Sequence, residues 1–148
     1  MNFQNKIAII TGGTGALGSV IVNRFAEEGM KIYVPTLSID NFRSKFDNSQ
    51  ESSIAEFKLR KIYALQCDAS SEVSVINFID NVLIREGRID YLINTVGGYH
   101  AKKNILDMET ALIEKMMKLN FYSSFYFCKY SLKRWNYGDQ IDSCTGCD

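Results

Sequence analysis

The residues with the clearest chemical potential in this 148-residue chain lie near its amino terminus, where Gly13-Thr14-Gly15-Ala16-Leu17-Gly18 spells G-x-G-x-x-G. Glycines at this spacing, directly after a strand and opening a helix, let the backbone turn tightly and approach a pyrophosphate. That group's charge then meets unpaired N–H groups and the positive end of the helix dipole. The plainer alternative, a tight turn without a ligand, is disfavoured by the motif's position. A P-loop is excluded because no Lys-Ser/Thr follows Gly18. Two other constellations fail on context. His100, the only histidine, has no acidic or nucleophilic partner suggested nearby and reads as a loop residue. Cys144-Thr145-Gly146-Cys147 is a C-x-x-C without a second ligand pair and without a helix start, so it reads as accidental.

The elements that must position these residues follow from periodicity. Lys6 to Thr11 predicts a short buried strand, ended by Gly12-Gly13-Thr14-Gly15. A helix follows, with Leu17, Ile21 and Phe25 as its buried face, Asn23, Arg24 and Glu27 outward, and Gly29 at its C-terminal cap. Lys31 to Pro35 gives a second strand, closed by the only proline. Residues 38 to 60 predict two short helices, one faced by Phe42 and Phe46 and the other by Ile54 and Phe57. Lys61 to Cys67 is a third strand. The next helix takes Ser70 as N-cap and Val75, Ile79 and Val82 as its face, and ends at Gly87. Arg88 to Asn94 is the fourth strand. A polar loop through Gly97-Gly98 leads to a long helix from about Asp107 to Arg134.

Strands alternating with helices of this length imply a parallel sheet, because right-handed crossovers return the chain in one direction. The fold class is α/β, a Rossmann-type doubly wound parallel sheet, incomplete at about four to five strands with flanking helices. Residues 1–135 form its domain. Residues 136–148 read as an irregular or aberrant tail, since only four of these thirteen are apolar against nine of the fifteen before them. Composition agrees, with 46% apolar and 23% charged residues. Seventeen basic against seventeen acidic residues leave no net charge to draw the chain to nucleic acid or an anionic membrane. The run Ile7-Ala8-Ile9-Ile10 is too short for a signal peptide or a membrane span, so the protein reads as cytoplasmic. Four cysteines do not make a disulfide framework in such a chain, and Cys67 and Cys128 read as buried thiols.

With these elements in place, the sequence resembles the short-chain dehydrogenase/reductase family from its N-terminus to about residue 135. Thr11 to Gly18 looks like the family's glycine loop, Cys67-Asp68-Ala69 like its adenine-contacting segment, and Asn94-Thr95-Val96-Gly97 like its Asn-Asn-Ala-Gly turn. Lys118-Leu119-Asn120 looks like the helix supplying its catalytic asparagine. The resemblance implies a cofactor site of Gly12, Thr14, Gly15, Leu17, Gly18, Thr36, Asp68, Ala69, Asn94, Val96 and Gly97. It also implies that Asn120 helps hold a water for proton relay. Asp68 fits a turn or cap aspartate equally well. One departure is Ala16, where short members usually carry glycine; the spacing is closer to longer, sugar-nucleotide-modifying members, while Asn94 to Tyr99 looks like the short ones.

Cofactor choice turns on the end of the second strand, where NAD-preferring relatives place an acidic residue. Thr36 stands there, and Thr36, Ser38 and Arg43 could hold a 2′-phosphate, so within NAD(P) the reading leans to NADP. Asp40 reaching back to the ribose would reverse this, and Arg43 reads more readily as a solvated helix charge. The family's serine and Tyr-x-x-x-Lys belong beyond Asn120, on a fifth strand and the next helix, and this chain lacks them. Tyr99-His100-Ala101-Lys102-Lys103 has the spacing but lies in a loop before Asn120. Asp139 to Cys144 only faintly resembles the expected strand, which has either decayed or been read in another frame. The resemblance therefore implies the cofactor-binding half of an enzyme that passes hydride between NAD(P)H and a small-molecule carbonyl or alcohol, inactive alone. When complete it would be a homo-oligomer through the 107–134 helix. The alternative is a non-catalytic dinucleotide-binding or partner-binding module.

Overall fold

The computed structural model describes residues 3–46, 61–99 and 104–134. Four strands, β1 (Ile7–Thr11), β2 (Lys31–Thr36), β3 (Ile62–Gln66) and β4 (Tyr91–Asn94), form one parallel sheet in the order β3-β2-β1-β4. Ile9 stands opposite Tyr33 on one side and Leu92 on the other. The chain winds outward from β1 through β2 to β3, then returns across β1 to lay down β4. Crossovers leaving β1 in opposite directions open a crevice at the carboxyl ends of the strands.

Because side chains alternate along a strand, each face of the sheet has its own core. Ile7 and Ile9 of β1, with Tyr33, pack against Val75, Phe78, Ile79 and Val82 of α3 (Glu72–Glu86) and Phe127 of α5 (Ser123–Arg134). Ala8 and Ile10, with Ile32 and Val34, pack against Val22 of α1 (Ala16–Glu27) and Phe42 of α2 (Ile39–Phe46). The expected faces of α2 and α3 are therefore those observed. The second helix expected before residue 60, His100, the residues after Arg134 and the Cys144–Cys147 pair lie outside the described residues.

Several expectations are corrected. Leu17 does not face the core but is 65% exposed, whereas Ile21 and Phe25 do pack against it beside the buried Gly18, Ser19 and Val22. Small residues let the helix start sit close beneath the glycine loop, so the first turn buries Gly18 and Ser19 rather than Leu17. The N-cap of α3 is Ser71, whose hydroxyl accepts the Ser74 N–H, while Ser70 donates its N–H and hydroxyl to Asp68 at 2.8 and 2.7 Å.

The helix expected from about 107 to 134 is observed from Thr110 onward as α4 (Thr110–Met117), a π turn (Lys118–Tyr122) and α5 in unbroken succession, preceded by a 3-10 turn at Ile105–Asp107. Cys128 is exposed rather than buried, because the buried side of α5 runs through Ser123, Phe127 and Ser131, one step round the helix. Cys67 is buried as expected. Burial pushes its thiol pKa up to about 11 against an opposing hydrogen bond from Ser74, which leaves it unreactive near neutral pH.

Candidate cofactor-binding site

The carboxyl ends of β1 and β4 carry a rim built from two loops and the π turn. Gly12 has φ +66°, and a Cβ there would stand 2.8 Å from the Thr95 backbone, so the β1 loop and the loop after β4 touch through the missing side chain. At Gly18 a Cβ would overlap the Gly12 carbonyl, which fixes how tightly the loop folds over the helix start. The Gly15 N–H donates to the Gly12 oxygen at 2.8 Å, and intrahelical bonding begins with Ser19 N–H to the Gly15 oxygen at 3.0 Å. The N–H groups of Ala16, Leu17 and Gly18 thus have no intrahelical acceptor, and no side chain caps α1. Gly15, Ala16 and Leu17 are exposed beside these N–H groups. This is a helix terminus open toward an anion.

The facing loop is held rigidly. Thr11 Oγ1 donates to Asn94 Oδ1 at 3.3 Å and accepts the N–H groups of Thr95 and Val96 at 3.1 and 3.4 Å. The Thr95 hydroxyl donates to the Thr11 carbonyl at 2.5 Å, and Asn94 Nδ2 donates to Cys128 Sγ at 3.4 Å. Beyond Val96, Asn120 takes over. Its Oδ1 accepts the Gly98 N–H at 2.8 Å, and its Nδ2 donates to the carbonyls of Gly98 and Met116, each at 3.0 Å. Asn120 sits in the π turn, and its amide pairs both ways with the Gly98 backbone. The asparagine that ties down Gly98 is therefore also the one standing where the helix departs from α geometry.

Toward β2 and β3 the rim opens into a cleft of about 390 Å³, lined by Leu37, Asp68, Ser70, Lys115, Lys118 and Leu119 among others. Asp68 is exposed there, its carboxylate already accepting from Ser70, so it is a turn aspartate whatever else it meets. Thr36 is buried: its hydroxyl donates to the Ser38 carbonyl at 2.9 Å and accepts the Ser38 N–H. Ser38 Oγ in turn accepts the Asn41 N–H at the start of α2. Arg43 and Asp40 are exposed and face each other at 3.7 Å.

The fold thus gathers Gly12, Thr14, Gly15, Leu17, Gly18, Asn94, Val96, Gly97 and Asn120 along one rim, with Thr36, Asp68 and Ala69 at its β2–β3 end. The glycine cradle and the unsatisfied first turn of α1 fit the pyrophosphate of a dinucleotide, and the cleft is of a size to take one of its nucleosides. The site residues expected from the sequence left out Thr11, Leu37, Lys115 and Lys118, although Thr11 lay within the glycine-loop motif and Lys118 within Lys118-Leu119-Asn120. Thr11, a polar residue ending an aliphatic strand at the glycine loop, was the clearest signal among them. Tyr99 is exposed in its loop, and among the described residues no tyrosine stands four residues before a lysine on one helix.

Comparison with known proteins agrees with this geometry. The family model for short chain dehydrogenases matches residues 6–141. General stress protein 39 of Bacillus subtilis is 25% identical over 143 residues, covering 96% of this chain and 48% of that protein. Glucose and ribitol dehydrogenase homolog 2 of Arabidopsis thaliana is 26% identical over 148 residues, covering 96% and 49%. The crystal structure of hydroxysteroid dehydrogenase from Escherichia coli superposes with a TM-score of 0.74 at 25% identity, covering 90% of this chain and 53% of that one. The chain spans about half the length of the curated relatives it matches. With its glycine loop, parallel sheet and strand order all in place, the chain belongs to the short chain dehydrogenase family.

Proposed function

We propose that this chain is the cofactor-binding part of an oxidoreductase that interconverts a small-molecule carbonyl and its alcohol with NAD(P), NADP being favoured because no carboxylate ends β2. The observation that carries the reading is the open first turn of α1, three N–H groups without intrahelical acceptors beneath a loop closed by Gly12 and Gly18. In this reading Gly12, Thr14, Gly15, Leu17 and Gly18 receive the pyrophosphate. Asp68 and Ala69 border the adenine, Thr36 backs the ribose, and Asn94, Val96 and Gly97 form the wall toward the reacting end. A bound nicotinamide supplies or accepts the hydride. Asn120 fixes Gly98 and, as the family resemblance implies, helps hold a water for proton relay.

Titration calorimetry of NADH and NADPH into the full chain tests the binding part, and absence of heat from both would overturn it. The chemistry is tested separately. The chain alone is expected not to turn over with NADPH, and joining it to a following segment that carries a serine and Tyr-x-x-x-Lys is expected to restore turnover.

A partner-binding role draws support from a specific feature. Ile113, Met117, Phe121 and Phe125 recur at four-residue spacing and are all exposed along α4, the π turn and α5. Such a stripe is a surface for association, here proposed as a homo-oligomer. Sedimentation of the wild type against Phe121→Glu tests it, with a shift to monomer expected.

A further inference from the structure

The cleft beside Leu37 is built from two unlike walls. One wall, at the ends of β2 and β3, offers Leu37, 71% exposed and without apolar cover, and polar groups already committed: Thr36 and Ser38 to the turn and cap before α2, Asp68 to Ser70. The other wall, from α4 and the π turn, offers Leu119 and the ammonium groups of Lys115 and Lys118. Neither lysine is held in an ion pair among the described residues, although the carboxylates of Glu114 and Asp68 line the same cleft. By contrast, Lys6, Lys31 and Lys129 each sit within 3.0 Å of a carboxylate.

The α1 terminus that would take a pyrophosphate does not line this cleft, so positive charge here serves a different anionic group. A nucleoside flanked by Leu37 and Leu119 would bring its ribose into reach of both lysines, whose flexible stems place a point charge and three donors on a phosphate. The hydroxyls expected to meet a 2′-phosphate at the end of β2 are engaged with nearby backbone, Thr36 with that of Ser38 and Ser38 with the Asn41 N–H. We infer that Lys115 and Lys118 select an adenine dinucleotide bearing a 2′-phosphate over one bearing a 2′-hydroxyl, an inference that rests on the cofactor reading above.

The experiment is calorimetric titration of NADPH and of NADH into the full-length wild type, Lys115→Gln, Lys118→Gln, the double variant, and Lys133→Gln as a control outside the cleft. Each cleft substitution is expected to weaken NADPH by about tenfold, the size of one charged hydrogen bond, and NADH by less than twofold. The steeper salt dependence of NADPH binding should disappear in the double variant. Equal weakening of both dinucleotides, or NADPH binding unchanged in the double variant, overturns the inference while leaving the cofactor reading intact. Absence of binding by either dinucleotide to the wild type overturns both.

Discussion

The two ends of the parallel sheet are built on opposite electrostatic plans. At the amino ends, charged groups meet one another. Glu86 accepts from Lys31 Nζ at 2.6 Å and from the Tyr33 hydroxyl at 2.8 Å, and Asp90 accepts from Lys6, Arg88 and the Ile7 N–H at 2.8–3.1 Å. Burial, reinforced by Glu86, pushes the Tyr33 hydroxyl well above the usual range. Burial alone would raise the Asp90 carboxyl as well, but the Ile7 N–H and the Lys6 and Arg88 cations hold it below the ordinary value. At the carboxyl ends, the first N–H groups of α1, the side chain of Leu37 and the ammonium groups of Lys115 and Lys118 are left uncommitted. Polar groups that satisfy each other stabilise a fold, whereas groups left facing a cleft are available to a ligand.

The sharpest way to break the comparison is at the amino end. Glu86→Ala leaves Lys31 and a buried tyrosine hydroxyl without their acceptor and should cost about 2–3 kcal/mol in urea unfolding, with dinucleotide affinity unchanged. A loss of affinity as large as the loss of stability would mean the two ends are not independent.

Gly18→Ala should cost about 2 kcal/mol through its clash with the Gly12 carbonyl and also weaken NAD(P) binding at least about tenfold, since the loop must open. Unfolding and calorimetry on one preparation would read both effects.

Asp90 gives a pH signature. Its folded pKa lies below the unfolded value of about 3.9, so its contribution is fully present above that value and is lost as pH falls through the folded pKa. The urea midpoint of the wild type should exceed that of Asp90→Asn by the equivalent of about 1–2 kcal/mol at pH 6, and the two should converge as pH falls through the folded pKa. A gap independent of pH would refute the ion-pair account.

The smallest effect on the fold is expected at Gly15, where φ is −73° and a Cβ would meet only the Gly12 oxygen, at 3.1 Å. Gly15→Ala should change stability by less than about 1 kcal/mol yet reduce NAD(P) affinity, because the methyl enters the anion cradle. Unchanged affinity would place the pyrophosphate elsewhere.

Much of this architecture was legible because it is local. The aliphatic run into Gly12, the Val75-Ile79-Val82 spacing and the alternation of strand and helix report backbone preference and burial directly. The misread positions share a different cause. The face of α1 depended on how closely the glycine loop approaches the helix. The cap of α3 depended on which of two adjacent serines Asp68 engaged, and the exposure of Cys128 on how α5 rotates against α3 and β4. The π turn in the last helix holds Asn120, which pairs with a backbone twenty-two residues away.

From the sequence alone came the α/β class, the glycine loop and its place after the first strand, and the family resemblance, because spacing along the chain is sufficient to specify each of them. Only the tertiary structure tied Gly98 to Asn120 and set Lys115 and Lys118 across a cleft from Leu37. Those outcomes hang on contacts between segments remote in sequence, where a side chain's partner is decided by packing rather than by its neighbours in the chain.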